Sequence, residues 1–130
     1  MLRSFVAAAA LVAGLGAVPA LAASYAGGAI MSVEVDGKEV LTDANGMTLY
    51  TFDKDTAGVS NCYDDCAVNW PPLMATADAQ PEGAYTLVER KDGSRMWAYK
   101  GMPLYLWIKD TKPGDMTGDG VGGVWHTAVE

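Results

Sequence analysis

Two residue pairs repeat the same chemistry at the same spacing: Tyr50 with Asp55, and Tyr105 with Asp110. A phenol and a carboxylate can form a short hydrogen bond, and a phenol beside a proton acceptor can also serve as a ligand or electron-relay group. The spacing does not require that sharper role. A tyrosine within a strand, followed by an aspartate where the strand breaks, suits an anchored ring and a carboxylate that caps the next turn.

Cys62 and Cys66 are the only cysteines. Four residues apart on a turn, they can meet disulfide geometry, and outside the cytoplasm the bond forms. A staple for a long loop is the first reading, and a redox-active or copper-binding dithiol is the alternative. The dinuclear copper pattern would continue with His and Met where the chain has Trp70 and Leu73. The lone histidine, His126, follows Trp125 and reads as a surface or hydrogen-bonded residue rather than a ligand. Asp115 and Asp119, with Gly120, imitate the front of a calcium loop, but Gly122 and His126 stand where its back half needs an apolar residue and an acid. Cys62, Cys66, His126, Asp115 and Asp119 are thus the available metal candidates, with no cofactor expected. The chain has no nucleophile elbow, zinc-protease motif or phosphate loop, so a non-catalytic protein is expected.

The residues around the tyrosines belong to an internal repeat. Gly46-Met47-Thr48-Leu49-Tyr50-Thr51-Phe52-Asp53-Lys54-Asp55 returns as Gly101-Met102-Pro103-Leu104-Tyr105-Leu106-Trp107-Ile108-Lys109-Asp110. Trp70 and Trp125 keep the same 55-residue offset (Gly46 to Gly101, Trp70 to Trp125), which implies one unit used twice with no insertion between these markers. Tyr50, Phe52 and Asp55, like Tyr105, Trp107 and Asp110, fit Y-x-[FWY]-x-x-D. Together with Cys62, Cys66, Trp70-Pro71-Pro72-Leu73 and Gly122-Gly123-Val124-Trp125-His126, they resemble the bacterial exported proteins and lipoproteins grouped as a secreted repeat of unknown function. The resemblance implies export and a repeat pattern, and it supplies no catalytic residues.

Alternation in Val33-Glu34-Val35, a turn at Asp36-Gly37 and a return through Thr42 predict a hairpin. A further turn leads into a strand over 47–52. The second copy repeats this with strands over 86–90, 94–99 and 102–108, and each half should end in a strand led by Trp70 or Trp125. Period two sets Tyr50 and Phe52 on one face and Leu49 on the other, with both faces buried in the second copy. The expected fold is all-β, two antiparallel meanders packed as one domain. Repeat 1 spans about 32–73, a connector 74–86 and repeat 2 about 87–130, with 23–31 as an N-terminal extension. One or two helical turns fit between Cys62 and Asn69.

Residues 1–22 read as a secretory signal, with Arg3, an apolar run and Ala20-Leu21-Ala22 before a cut at Ala23. No cysteine follows the run, so a soluble periplasmic or secreted form is expected rather than a lipid-anchored one. Loss of Arg3 takes the formal charge from −7 to about −8. Scattered acidity gives nucleic acid no basic patch. An envelope protein or a small ligand is the expected partner.

Overall fold

The computed structural model describes residues 23–130; the proposed signal segment lies outside them. The first hairpin joins β2 (Ile30–Val35) to β3 (Lys38–Asp43), with Val35 opposite Lys38. Asp36 and Gly37 both take positive φ, 52° and 81°, which matches the twist of a two-residue hairpin. β1 (Ala23–Tyr25) lies antiparallel on the free edge of β2. Segment 23–31, expected to precede the β domain, is therefore paired into it. A three-residue strand is too short to show alternation in the sequence.

The second meander contains β5 (Tyr85–Glu89), β6 (Arg95–Tyr99) and β7 (Met102–Pro103), in that order across one antiparallel sheet. The third sheet crosses between the halves. β4 (Tyr50–Phe52) from the first repeat pairs with β8 (Trp125–Thr127) from the end of the second, Tyr50 opposite Thr127. The reverse contact is an isolated bridge between Tyr105 and Pro72. Ala128 N–H donates to Leu49 O at 2.8 Å, and Leu73 N–H donates to Leu104 O at 2.9 Å. At the centre, Tyr50 and Tyr105 exchange both backbone hydrogen bonds, at 2.8 and 2.9 Å. The two halves are thus related by a pseudo-twofold passing between the tyrosines, and each contributes its tail to the other.

Two expectations need correction. Only Trp125 leads a strand. Trp70 follows α1 (Asp65–Asn69), the helical turn expected in that loop, and the chain beyond makes only isolated bridges at Pro72 and Met74. Pro71 and Pro72 have no N–H to give a ladder. The strand expected over 102–108 stops at Pro103 apart from the Tyr105 bridge, and Ile108 is 50% exposed, so the second copy does not bury both faces to its end. A turn closed by Asp110 N–H on Trp107 O takes over there. Ahead of the Gly46 marker, where the repeat carries no expectation, the offset differs. The hairpin glycines Gly37 and Gly93 lie 56 residues apart, so one residue is gained before the offset returns to 55 at Gly46 and Gly101.

Alternation places Leu49 and Leu104 in one core with Ile30, Leu41, Trp97 and Ala128. Tyr50 and Tyr105 face a second core that is mostly aromatic. All four of these residues are completely buried, which leaves both sides of the central pairing dry.

Candidate functional site

The exchange of tails carries the side chains with it. Tyr50 Oη donates to Asp110 Oδ2 and Tyr105 Oη donates to Asp55 Oδ2, both at 2.6 Å. Each bond joins the tyrosine of one repeat to the aspartate of the other. The aspartates are therefore more than local caps. Asp55 Oδ1 does accept the N–H of Asn61 at 2.7 Å, and Asp110 Oδ1 accepts the N–H and hydroxyl of Thr117 at 3.0 and 2.6 Å. These donors sit at the far side of the loop, six and seven residues on, so the register within two loops of equal length shifts by one residue.

The two pairs are completed differently. Tyr105 gives its one proton to Asp55, so the Ser60 hydroxyl, 2.6 Å away, donates to Tyr105 Oη. Ser60 Oγ in turn accepts from Arg90 Nη1 at 2.9 Å, while Arg90 Nη2 donates to Cys62 O at 2.9 Å. Tyr50 Oη accepts instead from the N–H of Gly118 at 3.2 Å. A Cβ on Gly118 would lie 2.9 Å from both Trp70 Cη2 and Tyr50 Cζ, so glycine is required by close approach. Burial raises both phenols above their ordinary value, and the carboxylate bonds add to this. Burial also holds Asp55 above the usual carboxylate range, against the opposing bonds from Tyr105 and Asn61 and the charge of Arg90.

The other member of each motif builds a column of rings. Phe52, Trp125, Trp70 and Trp107 stack in that order, with neighbouring centroids 4.2, 3.8 and 3.9 Å apart and planes 10°, 3° and 24° from parallel. The pseudo-twofold passes through the middle of the column. Tyr50 meets Trp70 edge-on at 5.4 Å, and Tyr105 meets Trp125 likewise at 5.3 Å. Phe52 and the two inner indoles are buried, whereas Trp107 is only half-buried. The aromatic positions were visible in the repeat, but their stacking was not, because it depends on which half receives each tail.

Cys62 and Cys66 form a disulfide that closes the loop beside this column, with Cys62 completely buried. Reduction is expected to remove about 2 kcal/mol, as the chain-entropy model gives for so small a loop. Denaturation of oxidised and reduced protein measures it, and no free sulfhydryl should titrate before reduction. His126 Nε2 lies 2.8 Å from Asp53 Oδ2 in an exposed pair. Asp115 is occupied by its own loop, accepting from Thr111 and Lys112 N–H and from Lys112 Nζ, which lowers its carboxyl to about 2. Asp119 accepts from Thr127 N–H at 2.9 Å. Among the described residues no three His, Cys, Asp or Glu side chains converge as a metal-binding cluster.

These features define a class: an all-β module of two related repeats that trade tails around a shared aromatic column. The model of the family described as a secreted repeat of unknown function matches twice, over residues 31–74 and 86–129, and the chain belongs to that family. No curated protein and no solved structure gives a significant match. Among the described residues no helix is long and apolar enough to cross a membrane.

Proposed function

We propose that the chain is an exported, non-catalytic module, periplasmic or secreted, that binds a small ligand or a segment of an envelope partner. The supporting observation is a groove of about 640 Å³ between the turn Ala26–Gly28 and the connector 76–82. Its size lies within the range of small-molecule sites. Trp97 and Met74 lie along it, the first buried in the core and the second 48% exposed. The walls are held in place: Gly27 N–H donates to Glu82 Oε1 at 3.2 Å, and Arg95 Nη2 donates to Ala77 O at 2.7 Å. Asp78 and Glu82 at the rim favour a ligand carrying an amine, in keeping with an acidic chain.

Titration of the labelled mature protein with a library of amine-bearing fragments tests this. Amide shifts of Gly27, Thr76 and Gln80 should move together and saturate. Saturable shifts located elsewhere, or none at millimolar fragment, overturn the assignment. The dithiol alternative has no comparable support, since both sulfurs are engaged in the disulfide. Stoichiometric copper(I) binding to reduced protein, weakened by His126→Ala, would put it in place of the groove.

A further inference from the structure

The ring column is arranged in a way that burial alone does not call for. Aromatic pairs in cores favour offset or edge-to-face contact, because face-on quadrupoles repel. Trp70 and Trp125 lie 3° from parallel with centroids 3.8 Å apart, closer than the roughly 4.5–7 Å usual for aromatic pairs, and Trp107 extends the overlap to three successive indoles. Indole is among the most easily oxidised side chains, and overlapping faces let a positive hole spread over more than one ring. The column also opens to solvent at one end only, through half-buried Trp107, while Phe52 closes the other.

Beside the two inner indoles stand two proton-coupled donors. Tyr50 lies edge-on to Trp70 and Tyr105 edge-on to Trp125, each with a carboxylate oxygen 2.6 Å from its hydroxyl. A phenol loses an electron readily only if its proton has somewhere to go, and these carboxylates accept it along existing hydrogen bonds. We propose that Trp107, Trp70 and Trp125 form a hole relay that joins a one-electron oxidant at the surface to the Tyr50–Asp110 and Tyr105–Asp55 pairs. The oxidant takes one electron from Trp107, and the hole passes to Trp70 and Trp125. Tyr50 returns an electron to the indole radical cation as its proton moves to Asp110 Oδ2. The products are a reduced oxidant, a neutral tyrosyl radical and a protonated carboxyl group. Tyr105 and Asp55 offer the same step from Trp125. The disulfide and the connector groove take no part, so this activity stands or falls separately from ligand binding.

The test is flash-quench oxidation of the full mature chain by photogenerated tris(bipyridine)ruthenium(III), followed by transient absorption and electron paramagnetic resonance. An indole radical should appear first and decay into a tyrosyl radical. The Tyr50→Phe/Tyr105→Phe double variant should lower the tyrosyl yield several-fold and prolong the indole radical. Asp55→Asn with Asp110→Asn should do the same with both phenols in place. Trp107→Leu, at the half-exposed end, should slow the first oxidation several-fold, and it provides the readout if the core variants fail to fold. An unchanged tyrosyl yield in the folded double variants overturns the proposal, as does an unchanged first rate in Trp107→Leu. A signal abolished by Tyr63→Phe alone overturns it equally.

Discussion

Replacing Trp125 by alanine is expected to destabilise the protein by about 3–5 kcal/mol, the usual cost of deleting a buried indole. Its ring contacts Phe52 on one face, Trp70 on the other and Tyr105 at its edge, and it is 4% exposed. Such a loss is comparable with the whole stability of many domains of this size. Trp70→Ala should behave alike, because Trp70 has the symmetry-related set of Trp107, Trp125 and Tyr50. Trp107→Ala should cost clearly less, since its ring is half-buried at the end of the column. Urea denaturation of the three variants checks the order. If Trp107→Ala equals the inner pair, the column is not the centre of packing.

Replacing Asp55 by alanine should cost about 3 kcal/mol, well above the roughly 1 kcal/mol of an ordinary turn cap. The side chain is buried, and its removal leaves the Tyr105 hydroxyl and Asn61 N–H without an acceptor and Arg90 without its nearby opposite charge. Asp110→Ala should cost less, because its partners are the Tyr50 hydroxyl and Thr117, with no counterpart of Arg90 among them. Adding Tyr105→Phe to Asp55→Ala should cost less than the two separate losses together, since they share one hydrogen bond. Strict additivity in equilibrium unfolding would mean that the bond contributes nothing.

The hairpins, the repeat and the all-β class were legible because alternation, Asp-Gly turns and the paired Gly46/Gly101 and Trp70/Trp125 are local or periodic signals. The trading of tails was not. Pairing Thr127 with Tyr50 or with its own Tyr105 places the same residues on the same faces, so hydrophobic pattern cannot separate the two arrangements. That ambiguity also hid the site. Read within one repeat, Asp55 looks like a cap for its own turn; only the exchange turns it toward Tyr105. The loop shift was masked because Trp70 and Trp125 return to a common offset, although Asn61 and Thr117 do not share it. Gly118 gave no signal of its own, because its need for glycine comes from Trp70 and Tyr50, both far away in sequence.

The traded tails have a consequence for each repeat taken alone. A unit whose last residues complete another copy's sheet cannot close its own core, so one repeat expressed alone should need a second copy to do so. The present chain has the form that two such units would take if joined through the segment between Met74 and β5. The two halves differ in detail. Only one carries Cys62, Cys66 and Ser60 and faces Arg90, whereas the other uses Thr117 and Gly118. The joining segment holds together what the exchanged strands already interlock, so a chain cut there should remain a single particle.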